Sequence, residues 1–219
     1  MKAYDTYIFD LDGTLTDTLT VWLGIFRDGL THHGVTAPDD KTLSQHTHDW
    51  KQMLQLGLPE KDLDSFIAFA HKAANERLPQ AELHAGAMEM LEALQSHGKR
   101  IAIFSTVDRP IFEPALRFRG LDKIAEVAVA GTDVPKRKPA PDGILKALDD
   151  LGIKKEDYGR VVYIGDKDTD IQAAKNAGVD GVLYFPPAHQ IFYDLAELQQ
   201  HNPAATIADW KELVAVLDQ

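Results

Sequence analysis

Short apolar runs rich in β-forming residues recur along this 219-residue chain, and they alternate with stretches that have helical periodicity. The runs are Tyr7 to Phe9, Arg100 to Phe104, Ala125 to Val129, Val161 to Ile164 and Gly181 to Phe185. Strands that alternate with helices predict right-handed βαβ units, since parallel strands need a long crossover between them. We therefore expect an α/β protein with a doubly wound parallel sheet that is covered by helices on both faces.

One long interval, residues 17–81, contains no such run. Its apolar side chains recur every three to four residues instead, which predicts helices inserted after the first strand. We expect an α/β core domain of residues 1–16 and 82–219, and a helical cap domain of residues 17–81. Four aromatic side chains at helical spacing are expected to form the core of the cap: Trp22, Phe26, Phe66 and Phe69.

Charge and composition exclude several classes of protein. The chain has 23 Lys and Arg against 34 Asp and Glu, and its net charge of -11 would repel a polyanion, so we expect no nucleic-acid partner. The absence of cysteine excludes disulfides and thiolate metal sites. No apolar leader precedes Asp10 and no segment approaches eighteen consecutive apolar residues, so we expect a cytoplasmic protein with no membrane partner.

Chemically reactive side chains follow four of the predicted strands. They are Asp10 and Asp12 after the first strand, Ser105 and Thr106 after the second, Lys138 in the basic loop after the third, and Asp166 and Asp170 after the fourth. The carboxyl ends of parallel strands lie at one edge of a sheet, and functional groups collect there. We therefore expect one site that combines acidic groups, a hydroxyl group and a cation.

The four segments, in this order, resemble the motifs of the haloacid dehalogenase superfamily of phosphohydrolases. The stretch FDLDGTLTD resembles the first motif, Ser105 the second, Lys138 of RKPAPD the third, and IGDKDTDIQAAKNAG the fourth. Four motifs in register are a specific signal. The resemblance implies a Rossmann-like core with a small helical C1-type cap of four-helix type, and an enzyme similar to the phosphoglycolate phosphatases.

The resemblance also implies a role for each residue. Asp10 would be the nucleophile and a Mg²⁺ ligand, the backbone carbonyl of Asp12 a second ligand, and Asp166 a third. The side chain of Asp12 would protonate the leaving group and later deprotonate the attacking water. Lys138 and the hydroxyl group of Ser105 would hold the phosphate.

The chemistry of phosphate esters is consistent with these residue types. A phosphate monoester carries two negative charges and repels a carboxylate, so a nucleophilic aspartate needs positive charge close by. Mg²⁺ supplies it, because this hard ion prefers oxygen and usually binds one or two carboxylates, waters and a phosphate oxygen. Such a cation and its phosphate would offset the two anions, Asp10 and Asp12, that end an apolar strand.

Neighbouring residues leave some assignments open. Thr106 would exchange roles with Ser105 if the strand ended one residue later; we favour Ser105, with the backbone N–H of Thr106 near the phosphate. Lys138 is favoured over its basic neighbours because Asp142, in the Pro-Ala-Pro-Asp that follows, is placed to cap the next helix. Asp170 is expected to orient Lys138 or a metal-bound water.

Discrimination between substrates is expected to come from the cap, because the core groups address only metal and phosphate. In relatives with this type of cap, a loop between the early helices has that role, and His46, His48 and Lys51 hold the matching positions here. Their polar groups would bind a hydroxylated or carboxylated leaving group. The alternative, that they are solvated residues of a helical turn, stays open. The paired histidines do not predict zinc, because no acidic partner set accompanies them.

The sequence thus predicts a Mg²⁺-dependent phosphatase that acts on a small phosphorylated metabolite, as a monomer or homodimer. Two alternatives stay open. A β-phosphoglucomutase-like isomerase would return the phosphoryl group to a sugar instead of water, and a catalytically idle relative would serve only as a binding module. The presence of suitable residues at all four motif positions argues against the idle module.

Overall fold

The computed structural model describes residues 2–47 and 50–217. Six strands form one parallel sheet: β1 (Thr6–Phe9), β2 (Arg100–Phe104), β3 (Val127–Val129), β4 (Val161–Gly165), β5 (Asp180–Tyr184) and β6 (Ala205–Ile207). Their order across the sheet is β3-β2-β1-β4-β5-β6, and all neighbours are parallel. This is the doubly wound order, in which the direction of winding reverses between β1 and β4. The predicted fold class is confirmed.

The predicted strands are all present, but some of their ends differ. β3 starts at Val127 and not at Ala125, because the backbone N–H of Ala125 donates back to the carbonyl of Leu121, at 2.9 Å, and only three residues pair with β2. The central strand β1 is buried along its whole length, between β2 and β4. A continuous apolar run is what a parallel strand covered on both faces requires.

Nine α-helices lie within the described residues. They are α1 (Thr18–His32), α2 (Asp40–Ser44), α3 (Leu63–Arg77), α4 (Ala87–Ser96), α5 (Arg109–Phe118), α6 (Asp142–Asp150), α7 (Asp168–Ala177), α8 (Leu195–Gln199) and α9 (Lys211–Val214). The prediction that Asp142 caps α6 is wrong: Asp142 is the first helical residue, and Pro141 occupies the cap position. None of the helices within residues 2–47 and 50–217 has the length and apolarity of a membrane-spanning segment.

Apolar side chains pack on both faces of the sheet. Successive residues of β1 point to opposite faces, so Tyr7 and Phe9 join a cluster with α4, α5 and α9, whereas Ile8 joins a cluster with α6 and α7. Helices therefore cover both faces and fix the central strands. Side chains that follow β1 and β4 are placed by this framework.

The chain between β1 and β2 has a separate apolar cluster. Side chains of α1 and α3 form it together with the 3₁₀ helix Trp50–Leu56. The predicted aromatic residues all belong to it, with Phe26 and Phe66 buried and Trp22 and Phe69 partly buried. The described part of residues 17–81 has three α-helices instead of the four expected, because the chain around Trp50 forms 3₁₀ turns. The separate cluster supports the division into a core and a cap domain, which stays a prediction.

The two chain crossings between this insertion and the sheet lie side by side. The backbone N–H of Asp17 donates to the carbonyl of Glu82 at 3.0 Å. Two residues further along, the backbone N–H of His84 donates to the carbonyl of Leu15 at 2.9 Å. The insertion therefore leaves the core and rejoins it at one place, next to the loop that follows β1.

Candidate active site

The site lies at the sheet edge where β1 and β4 end. β1 ends at Phe9 and β4 at Gly165, so Asp10 and Asp166 follow adjacent strands at the point where the winding reverses. The backbone N–H of Asp10 donates to the carbonyl of Ile164 at 2.8 Å. This bond holds the chain that leaves β1 against β4 and brings the two carboxylates together.

The ammonium group of Lys138 is the centre of a buried polar network. Its Nζ atom is 2.5 Å from Asp10 Oδ1 and 2.7 Å from Asp170 Oδ1, and it donates to the hydroxyl of Tyr163 at 3.0 Å. The side chain is only 6% exposed, and its charge lies over the rings of Phe104 and Tyr163. All three ammonium protons thus have acceptors, so Lys138 is held in one position.

Gly13 brings the loop that follows β1 against Asp166. Its φ of +84° lies in the left-handed region, and a Cβ atom at this position would be 2.6 Å from Asp166 Oδ2. Thr14 then directs its hydroxyl between Asp10 Oδ2, at 3.4 Å, and Asp166 Oδ1, at 3.2 Å. The glycine and threonine of the FDLDGT motif therefore contribute to the geometry together with its aspartates.

Negative charge exceeds positive charge in this network. Three buried carboxylates, those of Asp10, Asp166 and Asp170, share it with the ammonium group of Lys138. Burial raises the pKa of Asp10 well above its usual value; Lys138 opposes the shift, and the charges of Asp170 and Asp166 add to it. Burial also raises the pKa of Asp166, to about 6. The fully ionised site therefore needs a further cation.

The donor set fits Mg²⁺. One oxygen from each of the three carboxylates lies within 4.8 Å of the others, and carboxylate oxygens are the hard donors this ion prefers. Asp166 Oδ2 is buried and has no described group in hydrogen-bond geometry, although the hydroxyl of Tyr193 is near enough to interact with this carboxylate. An unpaired buried acceptor destabilises a fold by about 1–3 kcal/mol, which coordination to a cation would offset. A divalent ion also balances an excess of two negative charges.

Asp170 uses both of its oxygens within the protein. Oδ1 accepts from Lys138, and Oδ2 accepts from the backbone N–H of Lys167 at 3.0 Å. The carboxyl group packs so closely on β4 that a Cβ atom at Gly165 would lie 2.3 Å from it. This placement supports the expectation that Asp170 orients Lys138. It leaves Asp10 and Asp166 as the carboxylates better placed to hold a metal.

Asp12 is partly exposed and lies against the second motif. The hydroxyl of Ser105 donates to Asp12 Oδ2 at 3.0 Å and accepts from the backbone N–H of Val107 at 3.1 Å. Ser105 thus holds the side chain of Asp12, and its predicted contact with phosphate stays a prediction. Thr106 is half-buried in the same turn, with its carbonyl packed against Gly131. The predicted phosphate contact of its N–H also stays a prediction.

The predicted cap residues lie outside the network around Lys138. His46 follows α2, and its Nδ1 atom is 2.8 Å from the carbonyl oxygen of Thr42. Lys51 is exposed in the 3₁₀ helix Trp50–Leu56, and His48 is outside the described residues. The hypothesis that these three side chains select the leaving group stays a prediction.

Two tyrosines beside the carboxylates are absent from the predicted site. Tyr163 contacts Lys138, and its hydroxyl is 3.4 Å from Asp170 Oδ1. Burial and the charge of Asp166 raise the pKa of Tyr193 well above its usual value. Tyr163 could have been predicted, because its hydroxyl is the one side-chain polar group in the apolar run VVYIG. Tyr193 gives no local signal, because it lies in a later loop that tertiary folding brings to the site.

Comparison with known proteins identifies the family. The sequence profile of the haloacid dehalogenase-like hydrolases matches residues 7–184. The chain belongs to this family. The resemblance inferred from the four motifs is confirmed, as is the prediction of an enzyme, and the four motif segments follow β1, β2, β3 and β4 in turn.

Full-length relatives support membership of the haloacid dehalogenase-like hydrolases. Pyrophosphatase PpaX of Bacillus mycoides (strain KBAB4) is 28% identical over 219 residues, which are 98% of this chain and 97% of the relative. A hydrolase of this family from Deinococcus radiodurans R1, whose crystal structure holds phosphate and sodium, is 26% identical with a TM-score of 0.82, covering 99% of this chain and 96% of that one. A predicted phosphoglycolate phosphatase from Haemophilus somnus 129pt has a TM-score of 0.78, covers 99% of both chains, and at 22% identity shows the shared fold alone.

Proposed function

We propose that this chain is a Mg²⁺-dependent phosphatase that hydrolyses a small phosphorylated metabolite through an aspartyl-phosphate intermediate. One observation carries the proposal: buried Asp10 is held 2.5 Å from Lys138, beside Asp166, whose Oδ2 atom is buried and unpaired among the described residues. Asp10 is an oriented carboxylate in a site that needs further positive charge. This arrangement suits nucleophilic attack on phosphorus. The family and the relative PpaX add support for action on phosphate compounds.

The first step forms a bond between a carboxylate oxygen of Asp10 and phosphorus, while the bond from phosphorus to the leaving oxygen breaks. Lys138 at Oδ1 and Thr14 near Oδ2 hold the carboxylate of Asp10 in place before substrate binds. Prior orientation of this kind lowers the barrier, because the nucleophile does not have to be ordered during the reaction. The product is a phosphorylated Asp10 and a leaving alkoxide, which needs a proton.

Asp12 is placed to move that proton. Its carboxyl group is partly exposed and is held by Ser105, so it lies at the opening of the site where a leaving group departs. It gives its proton to the leaving oxygen, and then takes one from the water that attacks phosphorus and releases Asp10. The cycle ends with free phosphate and with both aspartates in their starting state.

Asp10, Asp166 and the backbone carbonyl of Asp12 are the groups that would hold the metal ion. When bound, Mg²⁺ offsets the charge of the phosphoryl oxygens and so allows an anionic nucleophile to approach them. Lys138 and Asp170 complete the charge balance from the protein side.

The test is the release of inorganic phosphate from a panel of phosphorylated metabolites, with Mg²⁺ and with EDTA. We expect release only with the metal, and none from the Asp10→Asn variant. The assay also separates the alternatives: an isomerase would convert a sugar phosphate without releasing phosphate, and an idle module would do neither. Turnover that is equally fast in EDTA would contradict the proposal.

A further inference from the structure

A cavity with largely aromatic walls lies between the insertion and the core. It encloses about 280 Å³. Its aromatic walls are Trp22, Phe26 and Trp50 from the insertion and Phe192 and Tyr193 from the core. We call this space the aromatic cavity. Because its walls come from two separate parts of the chain, it is a cleft between packed units and not a void within one of them.

The aromatic cavity adjoins the catalytic carboxylates. Lys167, which also lines it, directly follows Asp166 in the chain, and its Nζ atom is 6.0 Å from the centre of the Tyr193 ring. Tyr193 lies close enough to Asp166 to interact with its carboxylate. Two wall residues thus border the site where a phosphoryl group would bind. When the phosphoryl group of a substrate binds at Asp10, the leaving group of that substrate lies next to this cavity.

Two polar side chains of the cavity, those of Ser44 and Thr47, already donate their hydroxyl protons within the protein. The hydroxyl of Ser44 donates to the backbone carbonyl of Lys41 or Ile191, and that of Thr47 donates to the carbonyl of Ser44. Within the described lining, Lys167 is the only charged side chain. A leaving group with carboxylates or a second phosphate would need several donors in a desolvated cleft. In the described lining, Lys167 alone offers a charged donor, so such a leaving group would be only partly neutralised.

The aromatic side chains support one another. The rings of Phe26 and Trp50 are stacked with centroids 5.3 Å apart, and Trp22 meets Trp50 edge-on at 6.3 Å. Such contacts hold a flat apolar wall in place before a ligand arrives. A water molecule occupies roughly 30 Å³ in the liquid. The cavity, at about 280 Å³, therefore has room for a small ring system. A planar apolar group would bury its surface there.

We propose that the substrate is a phosphate monoester of an aromatic or similarly apolar alcohol, whose leaving group binds in the aromatic cavity. The inference rests on the proposed phosphatase function and narrows its substrate class. It differs from the polar leaving group expected from His46, His48 and Lys51, because the side chains that line the cavity are mostly apolar.

Matched substrates test the proposal in the wild-type enzyme. Ethyl phosphate and 2-phenylethyl phosphate are both esters of primary alcohols, so they differ mainly in the apolar ring. With Mg²⁺ present, we expect kcat/KM for 2-phenylethyl phosphate to exceed that for ethyl phosphate, phosphoglycolate and pyrophosphate by at least tenfold. Equal or better hydrolysis of any of the other three would overturn the inference and leave the phosphatase function standing.

Variants of the cavity locate the effect. Trp50→Ala removes a wall, and we expect kcat/KM for 2-phenylethyl phosphate to fall about tenfold while that for ethyl phosphate changes less than threefold. Thr47→Phe fills the cavity and should have the same selective effect without removing core volume. Phe118→Ala, at an exposed aromatic residue outside the cavity, is the control and should change neither value. Equal losses on both esters would contradict the inference.

A binding measurement separates failure of the inference from failure of the proposed function. The probe is 2-phenylethylphosphonate, which cannot be hydrolysed, titrated calorimetrically in Mg²⁺ against ethylphosphonate. We expect at least tenfold tighter binding of the phenyl compound, and loss of that advantage in Thr47→Phe. Tight selective binding without turnover of any ester would reject only the proposed function, whereas equal binding of both phosphonates would reject the aromatic cavity as the leaving-group site. Circular dichroism identifies any variant that fails to fold.

Discussion

The catalytic edge of the sheet and the aromatic cavity are neighbours, yet they are built in different ways. At the edge, charged side chains directly follow strands, so the register of the sheet places them. In the cavity, apolar rings come from α1, a 3₁₀ helix and a loop of the core, and only the contact between insertion and core brings them together. Under the two proposals, chemistry depends on the sheet, and substrate selection depends on the contact between the insertion and the core.

The two regions also differ in what a substitution should do. In the proposed reaction, the edge groups act on phosphorus and on metal, which every substrate shares, so a change there should lower the turnover of all esters alike. The cavity contacts only the leaving group, so a change there should affect some esters and spare others. An edge variant with a selective effect, or a cavity variant with a general one, would break this distinction.

Asp10→Asn should have the largest effect. The amide cannot attack phosphorus, so we expect kcat to fall by roughly 10³-fold or more on every ester. The fold should persist, because the substitution removes one of several buried negative charges. Phosphate release and Tm measure the two outcomes.

The matched control is Asp168→Asn, at the first residue of α7. Asp168 is partly exposed and accepts from Gln172, outside the buried network. We expect it to keep activity within about twofold. If Asp10→Asn retained more than about a hundredth of wild-type activity, a covalent role for Asp10 would be untenable.

Removal of the metal should have the second largest effect on turnover. Dialysis against EDTA should abolish turnover of all esters, and Mg²⁺ should restore it. Mg²⁺ should also raise Tm, because an ion that binds only the folded carboxylates stabilises by about 2.7 kcal/mol at a hundredfold excess over its Kd. Asp166→Ala should remove most of that thermal shift. A Tm that does not respond to Mg²⁺ in the wild type would argue against metal at this edge.

Tyr163→Phe should have a smaller effect at the edge than Asp10→Asn or removal of the metal, and it tests whether an edge variant affects all esters alike. It removes the hydroxyl that accepts from Lys138 and leaves the ring in place. We expect kcat to fall about tenfold on aromatic and ethyl esters alike, with KM little changed, because Tyr163 positions Lys138 and does not touch substrate. Stability should fall by about 1–2 kcal/mol in urea titrations. A loss on one ester only would place Tyr163 in substrate selection instead.

His189 provides the smallest effect, on stability alone. It is buried in the segment that leads to Phe192 and Tyr193, and its ring nitrogens have no partner among the described residues. Burial lowers its pKa from 6.5 to about 3, helped by the nearby charges of His84 and Lys167. Between these values the unfolded chain binds a proton that the folded protein does not, so the imidazole lowers stability progressively as pH falls below 6.5.

The His189→Phe variant tests this linkage. Its free energy of unfolding should fall less than that of the wild type between pH 7.5 and pH 5, by roughly 2 kcal/mol. His201→Phe is the control, since His201 is partly exposed, and it should follow the wild-type curve. Parallel curves for wild type and His189→Phe would mean that His189 does not contribute to the acid sensitivity.

The sequence predicts the positions of Asp10 and Asp166 well because these residues lie next to strands. Asp10 and Asp166 are the first residues after buried apolar runs, and Gly13 marks the turn that brings them together. A local sequence pattern is enough when the end of a strand determines where the next side chain lies. Strand ends were less accurate, as at β3, where the backbone N–H of Ala125 bonds back to Leu121 and the strand starts two residues later.

Local sequence patterns do not predict the aromatic cavity. Trp50 and Phe192 are far apart in the sequence, and nothing near either residue indicates that they share a cavity. Trp22 and Phe26 were expected to form cap core, which they do, but one side of each faces the cleft. Helical periodicity separates a buried face from an exposed one, and it cannot distinguish a face that packs on protein from one that lines a pocket.

The hydrogen-bonded crossing at Asp17 and Glu82 makes the insertion a closed loop on the sheet. The entropy lost in closing a flexible loop grows only with the logarithm of its length, by about 0.6 kcal/mol for each doubling. Residues can therefore be added to, deleted from or exchanged within this loop while β1 keeps its pairing with β2 and β4. Over evolutionary time, or in a grafting experiment, the same sheet edge can be supplied with a new pocket at little cost in loop-closure entropy.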